Sequence, residues 1–127
     1  MGKLLTRSAI FEAADVVTET VEVPEWGGSV RVRGLTGKER DIFEQNSLRR
    51  NKKGDMELNM ANMRARLVAF CTVDENGERI FTDDDIAELG RKSAAPLERI
   101  AKVAQRLSGM GDSAKSEAQD DFLEGQN

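Results

Sequence analysis

Two stretches with strand periodicity flank a glycine pair near the N-terminus, and they constrain the fold more than any other feature. Thr20-Val21-Glu22-Val23 and Val30-Arg31-Val32-Arg33 each alternate polar and apolar side chains, the period-2 signature of a strand with one covered face. Gly27-Gly28 offers the positive backbone angles of a tight turn, so residues 19–33 predict a β-hairpin with its valines on one side. A lone hairpin is marginal in water. Something else in the chain must cover those valines, and the remaining sequence offers helices.

Residues 4–15 read as a short helix with Leu4, Leu5, Ile10 and Phe11 available for one side. Thr36, followed three residues later by Glu39, is a capping box. It predicts a helix running to about Leu48 that buries Ile42 and Phe43. The charged stretch Arg49–Asp55, RRNKKGD, reads as a loop and is the most basic part of the chain. Met56, Met60, Met63, Leu67 and Phe70 then recur at spacings of 4, 3, 4 and 3, one stripe of a helix over 56–71 that Val68 and Cys71 broaden. That stripe fits the central core helix, or an adaptable methionine face for a partner. A short helix over Asp83 to about Lys92 carries Ile86 and Leu89, with Gly90 near its end. Ser93 opens a final helix that tolerates Pro96 in its first turn. Leu97, Ile100, Ala101, Ala104 and Leu107 line one side of it, and Gly109 stops it.

Together these elements predict a mainly α fold with small β-hairpins, in the α+β class. The expectation is a compact helical domain of four to five helices over residues 1–110, with the hairpin near 19–33, followed by a disordered polar tail over 111–127. The tail's only large apolar residues are Phe122 and Leu123.

Chemistry is limited by what the chain lacks. There is no histidine among its 127 residues, which removes the commonest general base and the commonest metal ligand. Cys71 is the only cysteine, so neither an internal disulfide nor a thiolate-rich zinc site can form. The net charge of −4 speaks against a general nucleic-acid binder. No apolar run approaches the ~20 residues of a membrane span. The N-terminal apolar stretch is broken by Arg7 and Glu12, unlike a secretory signal. The expectation is a soluble intracellular protein.

The acidic run Asp74–Asp85, DENGERIFTDDD, is the one place that invites a metal. Setting Gly77 at position 6 of a calcium loop puts Thr72 at position 1 and Asp83 at position 12, so two anchor ligands are wrong. A structural reading uses every part of it. Asn76-Gly77 turns a small ribbon between Thr72-Val73 and Arg79-Ile80-Phe81, and Thr82 caps a helix whose first turn holds three aspartates. Catalysis has no better footing, because no nucleophile sits beside a base and Gly34–Lys38 lacks the spacing of a phosphate loop. Neither a catalytic residue, a metal nor a cofactor is expected. Trp26, at the hairpin tip, reads either as folding back over the core or as a contact anchor.

The order of these motifs resembles the tail assembly chaperones of long-tailed, siphovirus-like bacteriophages. The residues that carry the likeness are Val21–Thr36, VEVPEWGGSVRVRGLT, with the Glu39-Arg40 helix, and Val73–Asp85 with Leu89 and the closing amphipathic helix. They span most of residues 19–109. The resemblance implies a non-enzymatic protein of the host cytoplasm. It would bind the tape-measure protein, keep it soluble while tail-tube subunits polymerise, and be absent from the finished virion. It also implies a longer frameshifted product of the same gene as a partner, with the tail-tube protein and further copies of the chain as others. A client with exposed apolar helix faces would be held by apolar grooves and methionines. The expected contact residues are therefore Trp26, Met56, Met60, Met63, Leu67, Leu97, Ile100 and Leu107. Two other readings stand beside this one: a head–tail connector or minor virion protein, and a small regulatory DNA-binding domain using the RRNKK stretch on phosphates.

Overall fold

The computed structural model describes residues 2–58 and 62–110. The hairpin forms where its periodicity places it, β1 (Thr18–Val23) antiparallel to β2 (Gly28–Arg33), with Val21 opposite Val30 and Thr18 opposite Arg33. Its connection differs from the expected Gly27-Gly28 turn. Pro24, with its fixed φ, starts a 3-10 turn over Pro24–Trp26, and only Gly27 takes a positive φ, 77°, while Gly28 already belongs to β2. β2 also pairs with β5 (Thr72–Val73), giving a three-stranded sheet in the order β1-β2-β5.

The sheet's apolar face lies on two helices. α5 (Ala94–Leu107) packs against β1, β2 and α3 (Met63–Cys71), and Val21, Val23 and Val32 join Leu67, Val68, Leu97, Ile100 and Ala104 in one buried core. In α3, Ala65 and Leu67 through Cys71 are all buried, as expected of a helix enclosed on most sides. α5 is amphipathic and closes in a Schellman motif. Gly109 at φ 74° lets Met110 N donate to Gln105 O at 2.7 Å and Gly109 N to Arg106 O at 3.2 Å.

α2 (Gly37–Asn46) begins at the capping box, with Thr36 N donating to Glu39 Oε1 at 3.0 Å and Glu39 N to Thr36 Oγ1 at 3.2 Å. Phe43 is buried edge-on to Phe70, their ring centroids 6.5 Å apart. Ile42 stays exposed, against expectation, because α2 touches the core along a single narrow line.

The largest departure follows. The basic stretch is not a loop, and the methionine helix does not begin at Met56. Instead β3 (Leu48–Arg50) and β4 (Met56–Leu58) form a second hairpin, with Leu48 opposite Leu58 and Arg50 opposite Met56. Asn51 ties its turn, its Oδ1 accepting from Lys53 N at 2.9 Å and Asp55 N at 3.0 Å, with Gly54 at φ 87°. The ladder claims Met56, and Asn62, in the left-handed region at φ 57°, sets the start of α3 at Met63. Met60 and the tail 111–127 lie outside the described residues.

The N-terminal helix, α1 (Arg7–Glu12), is shorter than expected and buries none of its residues. The short helix α4 (Ile86–Leu89) follows a 3-10 turn over Asp83–Asp85 and ends before Gly90, earlier than Lys92.

Candidate partner-binding surface

Three acids of the acidic run, Asp74, Asp83 and Asp85, are engaged in local structure. Asp74 Oδ1 accepts from the amides of Asn76 and Glu78 at 2.8 and 3.1 Å, and Gly77 at φ 83° completes the turn. Asp85 Oδ2 accepts from Thr82 N at 2.8 Å, the acid half of a capping box, and Asp83 pairs with Arg79 at 3.2 Å. Arg79 also donates from Nε to Ala69 O at 3.0 Å and lies 4.6 Å from the centroid of the Phe70 ring. It thereby pins the ribbon to the end of α3.

That anchoring presents Ile80 and Phe81 beside Trp26. With Asp85, Glu88, Leu89 and Lys92 these residues line a groove of about 480 Å³ that combines apolar and charged side chains. Trp26 is half-buried against the core, as the folded-back reading has it, and it also lines the groove. The hairpin tip is held rigidly. Arg99 on α5 grips Glu25 through two hydrogen bonds of 2.7 Å, and this guanidinium holds the Glu25 carboxyl down at about 2. Arg106, two turns further along, pairs with Glu19 on β1.

Two more apolar surfaces are uncovered among the described residues. Leu4 is 97% and Phe11 71% exposed, with Leu5, Ile10, Val16 and Val17 exposed around them. Arg7 stacks 4.8 Å over the Phe11 ring. On the second hairpin, Leu48 and Met56 are exposed beside the basic residues.

The expected contact residues divide by burial. Leu67, Leu97 and Ile100 retain at most 5% of their surface and lock α3, α5 and the sheet together, so in this fold their surface is taken by one another. Met63 and Leu107 are partly buried at the core's margin, as is Trp26. Met56 is open on β4. The helical stripe thus marked the core where it was strongest, because periodicity reports a covered face without saying what covers it. Ile80, Phe81 and the exposed N-terminal apolar residues were not among the expected contact residues. The available signal was adjacency: neighbouring Ile80 and Phe81 cannot both point inward from extended chain.

Comparison with known proteins agrees with this architecture. A family model described as phage tail assembly chaperone matches residues 5–121. A solved structure of the bacteriophage HK97 tail assembly chaperone superposes with a TM-score of 0.55 at 22% identity, over 80% of this chain and 89% of that one. At that identity the likeness speaks for a shared fold. No protein with a curated description matches the sequence.

Proposed function

Because the chain belongs to the phage tail assembly chaperone family, we propose that it binds the tape-measure protein and keeps it soluble while the tail tube polymerises. The observation that supports this reading most is the uncovered apolar surface on a rigid frame. The groove is lined by the apolar Trp26, Ile80, Phe81 and Leu89 together with the charged Asp85, Glu88 and Lys92. An amphipathic client helix needs such a seat: an apolar channel to bury its stripe, and charge at the rim to keep the complex in solution. The role is binding rather than catalysis. Its place is the host cytoplasm, with the tail-tube protein, a longer frameshifted form of the chain and further copies of itself as secondary partners, and it leaves before the virion is complete.

The test is co-expression with the tape-measure protein of the same phage. The client should appear in the soluble fraction only with the chaperone, and Trp26→Ala combined with Phe81→Ala should return it to the pellet while the chaperone stays folded. Purified virions should lack the chain. A client equally soluble alone, or a chain present in finished particles at fixed copy number, would refute the reading.

A further inference from the structure

The charge of this chain is divided unevenly, and the division falls at the end of α5. Residues 111–127 hold five of the 23 acidic residues (Asp112, Glu117, Asp120, Asp121, Glu124) and one of the 19 basic ones (Lys115). They therefore carry the whole formal charge of −4, and residues 1–110 are neutral. Within the tail the acids crowd round its only large apolar pair, in Asp120-Asp121-Phe122-Leu123-Glu124.

One surface on the body matches that segment in both respects. The β3–β4 hairpin carries Arg49, Arg50, Lys52 and Lys53 within five residues, against Asp55 and Glu57. Arg49 is paired with Glu57 at 3.1 Å, whereas Lys52 and Lys53 meet no acid among the described residues. Directly opposed residues of an antiparallel pair share a face, so Leu48, Arg50 and Met56 point to the same side, and both apolar side chains there are exposed. The basic residues surround a concavity of about 580 Å³ with Glu57. Of the other two uncovered apolar surfaces, the N-terminal one has only Lys3 and Arg7 against Glu12 and Asp15, and the Trp26 groove has Lys92 against Asp85 and Glu88.

The geometry also permits the contact within one chain. Ser108, just past α5, sits against the start of α2, its Oγ accepting from Leu35 N at 2.8 Å. From there α2 carries the backbone about 15 Å to the foot of the hairpin. The ten residues between Met110 and Asp121 can span about 33 Å when extended.

We propose that the β3–β4 hairpin is the seat of the chain's own acidic C-terminal segment, with Asp120, Asp121 and Glu124 facing Arg50, Lys52 and Lys53 and the Phe122-Leu123 pair covering Leu48 and Met56. Self-occupation screens an exposed apolar patch and a basic arm that would otherwise attract unrelated acidic partners. The attraction is electrostatic and surface-exposed, so it weakens with salt. This inference is independent of the client proposed above.

The test uses the full chain, isotope-labelled and carrying a nitroxide at Gly125→Cys, diluted into unlabelled, untagged chain. Cys71 is buried and its thiol is pushed up to about 12 by that burial, so the tag goes to position 125. The amides of residues 49–57 should lose most of their intensity relative to the reduced tag. They should recover at 1 M salt, where the screening length is about 3 Å. They should recover also in Asp120→Lys/Asp121→Lys and broaden again when Arg50→Glu/Lys52→Glu is added. Hairpin amides untouched by the tag would overturn the proposal, as would broadening centred on α1 or on the Trp26 groove. Equal broadening between tagged and labelled chains in a mixed sample would overturn it in favour of a second copy. Hairpin amides that ignore the tag and shift on adding a short DNA duplex would overturn it in favour of a phosphate-binding arm.

Discussion

Arg33 holds Glu39 through two parallel hydrogen bonds, Nη1 to Oε1 and Nη2 to Oε2, each 2.6 Å long. β2 ends at Arg33, and Glu39 is the acid of the α2 cap, accepting from the Thr36 amide as well. A single carboxylate therefore sets the angle between sheet and helix. The Arg33 side chain is largely buried, so the pair is shielded from competing water and salt more than the other ion pairs among the described residues.

The pH dependence of stability follows from that pair. The Arg33 guanidinium holds the Glu39 carboxyl at about 2, below its ordinary 4.5. A group whose folded pKa is depressed stabilises the fold above its unfolded pKa and loses that contribution as pH falls through the folded value. Stability should therefore decline between about pH 4.5 and about pH 2. Glu39→Gln should cost about 2 kcal/mol at neutral pH, the scale of a hydrogen bond to a charged group, and flatten the decline. Glu25, held down similarly by Arg99 on an exposed surface, serves as the comparison, and Glu25→Gln should change stability less. Urea titrations across this range decide it. An unchanged acid limb in Glu39→Gln would refute the assignment.

Gly34 is where sheet and final helix meet most closely. A Cβ built there would lie 2.5 Å from Leu107 O, a backbone atom that cannot rotate away. Gly34→Ala should cost about 1–3 kcal/mol, as overpacking does, although Gly34 itself has no left-handed φ. Gly37, at the start of α2, has nothing within 4 Å of its would-be Cβ. Gly37→Ala should be neutral or raise stability by up to about 1 kcal/mol, because alanine narrows the unfolded ensemble and suits a helix. Thermal melts that rank the two the other way would show the approach to be misplaced.

Local grammar was the legible part of this fold. The valine alternation, the Thr36–Glu39 box, Asn76-Gly77 and Gly109 each act through neighbours a few residues away, and each sits where those neighbours require. The failures came where two local patterns competed. Met56 belongs at once to a helical stripe and to a stretch that can pair with Leu48–Arg50, and the ladder won through Arg50, six residues back. Which apolar residues stay uncovered was least legible, for a related reason. Ile100 and Phe81 are both apolar, and only the tertiary packing buries the first and leaves the second at the edge of a groove. Gly90 does cap the end of α4, but at φ −63°, and what the sequence did not show is that a Cβ there would collide with Asn62 Oδ1.

Cys71 ends α3 inside the core with none of its surface exposed. Burial away from water disfavours the thiolate and pushes its pKa from 9.0 to about 12. A thiol reagent at pH 8 should modify the folded protein only at the rate of unfolding, and denatured protein at once. For a thiol whose folded pKa is raised, the stabilising contribution is complete below about pH 9 and is lost as pH climbs toward 12. Prompt native-state modification would mean that the end of α3 opens locally.

Burial separates two groups of apolar residues that a sequence pattern treats alike, and mutation should separate them by different readouts. Ile100 is fully enclosed between α3 and the valines of the sheet. Ile100→Ala should cost about 2–5 kcal/mol, the transfer energy of the lost atoms plus the cavity left behind, and any loss of client binding should track the fraction unfolded. Leu97→Ala should behave in the same way. Met56→Ala, on an open strand, should stay within about 0.5 kcal/mol of the parent. Phe81→Ala should lower stability by less than Ile100→Ala, since Phe81 only rests on the core's margin, yet weaken client capture in protein that is still folded. Urea midpoints paired with pull-down of the tape-measure protein give both quantities. If Ile100→Ala left stability intact but abolished capture, the core assignment of α5 would be wrong and its apolar face would be the binding surface.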